Sequence, residues 1–286
     1  MYEQFYNFKE EPFRLSPDSR MCFRHESYRR AKAYMRFALH RGEGFVMVTG
    51  RPGTGKSTLI ADMVNELSGG AINISRLTST QLEADDLLRL VVLDFGLDGT
   101  TDNKAMLLHR LGRFLQHQHQ QNRRSLLIID EAQDLAPSAL EELRLLTNLQ
   151  QNNIPLLQIF LVGQEQLRDL VMTPALEQVH QRIVAACHLA PLDEQTTRDY
   201  VLHRLRWVGW QDDPRLDEAI FPYIHKYSTG IPRLINLICS RLLLHGMVEE
   251  RHELGEPDIQ TAIESLAAEE LLPPAVAQEA AMIRAG

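Results

Sequence analysis

The sequence predicts an α/β chain in which a parallel sheet covered by helices is followed by a smaller all-helical domain. Three observations carry this prediction. Short apolar runs alternate with helix-length stretches between Phe45 and Leu189, strand signals stop after Pro191, and a glycine-rich octapeptide separates the first apolar run from the helix behind it. Strands alternating with helices form a sheet whose two faces are both covered.

In chain order, residues 1–42 open with an aromatic, proline-punctuated stretch (Phe5, Phe8, Pro12, Phe13, Pro17) and continue as a helical stretch from Ser27 to His40. They read as a lead-in that packs on the following domain. Residues 43–192 hold the apolar runs Phe45–Thr49, Ala71–Ile74, Leu126–Ile129, Leu156–Val162 and Ile183–Leu189. Helical stretches are expected at 57–67, 81–95, 102–121, 137–150 and 164–171. Leu126–Ile129 has no polar alternation, as expected of a central strand buried on both sides. Residues 193–268 read as helices at Glu194–Val208, Leu216–Tyr227, Pro232–Met247 and Pro257–Ala267, with prolines near three of their starts. Residues 269–286, alanine-rich after Pro273-Pro274, read as a flexible tail.

The 286 residues are 44% hydrophobic and carry a formal charge of -8, so nothing global favours a polyanionic partner such as DNA. Three cysteines, Cys22, Cys187 and Cys239, are odd in number and lack metal-type spacing, which points to a reduced, cytoplasmic setting. No leader is expected in Met1–Phe13, and no apolar run approaches the roughly 18 to 20 residues of a membrane span. His109, His117 and His119 invite a metal reading, but their glutamine-rich stretch without acidic or cysteine partners reads as a solvated helix face.

The octapeptide Gly50-Arg51-Pro52-Gly53-Thr54-Gly55-Lys56-Ser57 fits GxxxxGK[ST] and stands between an apolar strand and a helix, where a phosphate-binding loop must stand. Its glycines let successive N–H groups turn inward, and the helix adds the positive end of its dipole. The expected ligand is ATP with Mg²⁺: Lys56 on the β- and γ-phosphates, Ser57 on the metal, and Thr58 completing the cradle. The run Leu126–Ile129 ends in Asp130-Glu131, placing two carboxylates at the carboxyl end of a buried strand. Asp130 is expected to hold Mg²⁺ and Glu131 to polarise the attacking water. Without a phosphate loop upstream, the same pair would read as a helix cap.

Three further residues are candidates. Gln164 follows Leu156–Val162 and stands either near the γ-phosphate orienting water or as a helix-capping glutamine. Arg182, before Ile183, is placed either to reach the γ-phosphate of a neighbouring subunit or in a local surface pairing. Arg233, after Gly230-Ile231-Pro232, lies at a helix start, where it serves either the phosphates or only the helix surface.

With both phosphate motifs, Gln164, Arg182 and the GIPR segment in order, the chain resembles the AAA+ ATPases of the ExeA/GspA secretion type. More narrowly it is similar to the secretion ATPase of exosortase (PEP-CTERM) and exopolysaccharide loci in Gram-negative bacteria. The narrower likeness rests on MYEQFYNFKEEPFRLSPD at 1–18, STQLEADDLLRLV at 79–91, DEAQDL at 130–135, LEQVHQRIVAACHLAPLD at 176–193 and HRLRWVGW at 203–210. The resemblance implies a P-loop sheet of the ASCE class in the order 5-1-4-3-2, a helical lid and assembly into a homo-oligomeric ring or filament. It also implies Gln164 near sensor 1, Arg182 as arginine finger and Arg233 as sensor 2. Expected partners are envelope or polysaccharide-assembly proteins, with any inner-membrane association made through a partner.

The expected activity is ATP hydrolysis by a motor or switch. The competing reading is a DNA-associated ATPase of the transposition-regulator or initiator kind, which the charge of -8 disfavours. A tight-binding nucleotide switch with little turnover would keep the same fold.

Overall fold

Five buried or half-buried segments form the sheet: β1 (Phe45–Gly50), β2 (Ile72–Thr78), β3 (Arg124–Asp130), β4 (Leu157–Gly163) and β5 (Ile183–Leu189). All neighbours run parallel in the order β5-β1-β4-β3-β2, the order expected from the resemblance. β1 and β4 are buried at every residue, as befits strands covered on both faces. The computed structural model describes residues 1–16, 18–67, 72–78, 82–101 and 103–277. Ala71, the start of STQLEADDLLRLV at 79–81, and 278–286 of the expected tail lie outside these described residues.

The chain divides into two compact units. The sheet unit comprises Glu26–Pro52 and Lys56–Leu189; the helical unit comprises Met1–His25, Gly53–Gly55 and the chain from Ala190 on.

In the sheet unit, helix Ala84–Asp94 packs against Lys104–Gln120 and Pro137–Leu146. Leu88, Leu111 and Leu140 join Leu127 and Ile129 in one core. Asn103 caps the second helix, its side chain accepting from the Met106 N–H at 3.3 Å. The helix expected to reach residue 150 stops at Leu146, because Gln150–Gln151 turns back onto Ile154–Pro155 in an antiparallel ladder. Asn152 and Asn153, both at positive φ, make that two-residue turn. Helix Glu26–Arg41 is tied to the helix Lys56–Leu67 by an ionic cluster. Tyr28 Oη donates to Asp62 Oδ2 at 2.6 Å, the Lys32 ammonium contacts Asp62 and Glu66, and Arg36 donates to Glu66 at 2.5 Å.

The helical unit contains Glu194–Trp207, Ile220–Ser228, Pro232–Val248 and Glu256–Ala268. Asp193 accepts from the Thr196 N–H at 2.7 Å and so caps the first of these. The second begins four residues later than the apolar pattern suggested, since Arg215–Leu216 is drawn into a short ladder with Glu253–Leu254.

The expectation that residues 1–42 form one lead-in on the nucleotide domain is corrected. Tyr2, Tyr6, Phe8, Phe13 and Met21 are buried in the core of the helical unit with Leu205, Ile224, Ile238 and Ile263. Backbone groups anchor the segment there: Lys9 N–H donates to the Val208 carbonyl (2.9 Å) and Arg204 Nε to the Pro12 carbonyl (2.6 Å). Only Glu26–Arg41 joins the sheet unit, where Gln158 Nε2 donates to the Ala38 carbonyl at 2.8 Å. The physical reason is surface-to-volume: so small a helical bundle buries too little apolar area by itself, and the N-terminal rings enlarge its core.

Candidate nucleotide-binding site

Parallel register brings the carboxyl ends of the central strands together. Thr49 lies opposite Gly163, Ile129 opposite Leu161, and Asp130 opposite Thr78. Open α/β sheets bind ligands at this edge.

The glycine-rich loop leaves β1 here. Gly53 and Gly55 adopt φ of +82° and +97°, values that L side chains rarely take, so the loop's curl requires glycine at both positions. Lys56 opens the helix Lys56–Leu67, with Ser57 and Thr58 half-buried in its first turn. The Lys56 side chain folds back along the loop and donates to the carbonyls of Gly50 (2.8 Å) and Arg51 (3.1 Å). Burial holds the Lys56 ammonium below its ordinary range, and the carboxylates of Glu131, Asp130 and Glu165 oppose that shift.

Asp130 ends β3 and is buried. Its Oδ2 accepts from Arg76 at 2.7 Å and its Oδ1 accepts from the Glu131 N–H at 3.2 Å. Glu131 turns the chain out of the strand in the left-handed region (φ 51°, ψ 41°). The Glu131 Oε2 accepts from Gln133 Nε2 at 2.8 Å and from Gln164 Nε2 at 3.4 Å. Gln164 occupies the N-cap position of helix Glu165–Val171, yet its side chain makes no capping bond there. A lysine, two helix-turn hydroxyl residues and two carboxylates thus share one sheet edge.

Residues 39–171 match the family model described as AAA domain. That stretch of the chain is similar to the AAA domain. It is 38% identical over 263 residues to the general secretion pathway protein A of Aeromonas hydrophila, an alignment covering 92% of this chain and 48% of that protein. The chain therefore spans about half the length of the curated relative it matches. Among solved structures, the Thermotoga maritima RuvB Holliday junction branch migration motor superposes with a TM-score of 0.60 at 19% identity, covering 90% of this chain and 74% of RuvB. Drosophila ORC bound to DNA gives 0.68 at 14% identity over 93% of this chain and 66% of that one. At those identities the likeness establishes the fold, a P-loop NTPase sheet with its helices.

The sheet unit does not bring Arg182 to the glycine-rich loop after β1. The Arg182 carbonyl accepts from the Phe45 N–H at 2.9 Å, at the amino end of β1, so the length of the strand separates it from Gly50. At about 3.3 Å per residue this is on the order of 16–20 Å. Its exposed side chain donates to Asn148 Oδ1 (2.7 Å) and Thr147 Oγ1 (3.4 Å). Arg233 is exposed in the first turn of Pro232–Val248, and its N–H donates to the Gly53 carbonyl at 3.2 Å within the helical unit.

Two residues at the site were not identified from the sequence. Arg76 sits in the polar end of β2, and its partnership with Asp130 becomes visible only once β2 is known to pair with β3. Gln133 was visible as part of DEAQ but without a role. Among the described residues, no group of three or more His, Cys, Asp or Glu could hold a metal, and no helix is long and apolar enough to cross a membrane.

Proposed function

We propose that this chain hydrolyses ATP as the engine of an oligomeric motor or switch in envelope secretion or exopolysaccharide assembly. The observation that carries the chemistry is the buried Lys56, set in the field of Asp130 and Glu131 at one sheet edge. Lys56 would move from the Gly50 and Arg51 carbonyls to phosphate oxygens, exchanging dipoles for full charges. Glu131 would accept the proton of the attacking water, with Gln164 orienting that water. An all-oxygen pair, the Ser57 hydroxyl and the Asp130 carboxylate, suits Mg²⁺. When bound there, Mg²⁺ would neutralise charge on the phosphates.

Arg182, far from its own loop, is assigned to the site of a neighbouring copy, where its guanidinium would meet charge developing on the γ-phosphate. Arg233 is assigned the coupling of nucleotide state to the helical unit, which would act as the lid. The secretion assignment is supported by the 38% identity to general secretion pathway protein A. The narrower placement with exosortase systems rests on the sequence motifs alone.

The test is steady-state ATP hydrolysis against protein concentration, with Glu131→Gln alongside. Specific activity that rises with concentration supports a site completed on assembly, and its loss in the variant supports Glu131 as the base. A wild type with no ATPase activity at any concentration would sink the enzymatic reading.

A further inference from the structure

Gln133 stands two residues beyond Glu131 and touches both sides of the site. Its Nε2 donates to Glu131 Oε2 at 2.8 Å, and its Oε1 accepts from the backbone N–H of Gln164 at 2.9 Å. The second bond fixes the orientation of the amide: a backbone N–H must be met by the carbonyl oxygen, which leaves the NH₂ facing the carboxylate. The side chain therefore ties the end of β4 to the one carboxylate positioned to act as a base.

Two features show that the surroundings are shaped for this bridge. Gly163 precedes Gln164, and a Cβ there would lie 2.6 Å from Gln133 Oε1, too close for the amide to stay seated. Glu131 itself holds a left-handed backbone, uncommon for a glutamate, which turns it out of the strand on the side where Gln133 and Gln164 lie. The direct contact from Gln164 Nε2 is longer, at 3.4 Å, so Gln133 supplies the shorter bond to the Glu131 carboxylate.

We propose that Gln133 is a positioning residue for Glu131, holding the carboxylate by a hydrogen bond whose own geometry is set by the main chain at the end of β4. The inference rests on the reading of Glu131 as the base. A donor held at both ends keeps the base in one rotamer, and loss of such alignment reduces turnover without weakening nucleotide binding.

The decisive variant is Gln133→Glu, which keeps the side chain's shape and an oxygen for the Gln164 N–H but turns an oxygen toward Glu131 where a donor stood. Steady-state kinetics should show kcat lower by about 10- to 100-fold, a share of the 10²–10⁴ that a positioned base contributes, with nucleotide KM within about twofold. Gly163→Ala should move kcat in the same direction, and Gln133→Ala should not exceed the loss in Gln133→Glu. Melting temperatures measured alongside separate a folding defect from misalignment. Wild-type kcat in folded Gln133→Glu, with activity lost in Glu131→Gln, would overturn the assignment of Gln133 alone. Full activity in Glu131→Gln would instead remove the reading of Glu131 on which it rests.

Discussion

The Arg76 guanidinium, reaching across from β2, donates to Asp130 Oδ2 at 2.7 Å and so occupies one oxygen of the carboxylate that ends β3. If Asp130 holds Mg²⁺, Arg76 competes with the ion for that oxygen. Arg76→Gln is expected to lower the magnesium concentration needed for half-maximal nucleotide binding. The shift should be roughly two- to fivefold, the range of a partly exposed ion pair. A magnesium titration of a fluorescent ATP analogue measures it, and an unchanged midpoint would show that the pair does not compete.

Lys56→Ala should reduce nucleotide affinity by about 10- to 100-fold, the worth of a charge-assisted hydrogen bond of roughly 1.5–3 kcal/mol. The fold should survive, because the ammonium donates to the Gly50 and Arg51 carbonyls and, among the described residues, holds together no other element of the fold. Calorimetric titration with ATP, beside thermal melting, separates the two effects.

Arg182→Ala removes only the exposed pairing with Asn148 and Thr147 from its own subunit. Stability should change by about 1 kcal/mol or less. ATPase activity should nonetheless fall at protein concentrations where copies associate. Mixing this variant with Glu131→Gln should restore part of the rate if the guanidinium acts across subunits; mixed assemblies without any recovery would place its role elsewhere.

The ionic cluster on the loop helix predicts acid sensitivity. Burial raises the Glu66 pKa, but hydrogen bonds from Lys32 and Arg36 outweigh burial and leave the carboxyl below its ordinary range. For a depressed carboxylate the stabilisation is complete above the unfolded value of roughly 4.3 and is lost as pH falls through the lower folded value. Glu66→Gln should therefore melt below wild type at pH 7, and the gap should narrow as pH falls below the unfolded value.

Phe13, 1% exposed, sits in the core of the helical unit. Phe13→Ala should destabilise that unit by about 3–5 kcal/mol. Trp207 and Trp210 are the chain's two tryptophans and both lie in this unit, so denaturation followed by tryptophan fluorescence reads it selectively. An unaltered transition would contradict the packing described for residues 1–25.

Features written in local pattern were legible in the sequence. The turn between β1 and the helix Lys56–Leu67 declared itself because Gly53, Gly55 and Lys56 fall at fixed spacing, and β3 because Leu126–Ile129 is apolar without interruption. The extent of β2 was hidden, since Ser75 and Arg76 interrupt its apolar run for reasons that lie outside the strand: Ser75 donates to Asp94 at 2.5 Å and Arg76 serves Asp130. The bridge through Gln133 depends on the left-handed turn at Glu131 and on the proximity of β3 to β4, neither of which a linear reading contains. The misjudged lead-in has the same origin, for aromatic spacing announces burial but not the partner.

The packing of Tyr6 and Phe13 against Ile238 and Ile263 also fixes an order of events on the ribosome. Tyr6 and Phe13 must wait for helices encoded more than two hundred codons later, on the order of 10–50 seconds at ordinary elongation rates of roughly 5–20 residues per second. Throughout that interval the sheet unit can complete itself, while a cluster of bare aromatic rings stays tethered to its front end. The rings of residues 1–25 thus stay uncovered for that interval, and their burial is timed by emergence of the helix Glu256–Ala268.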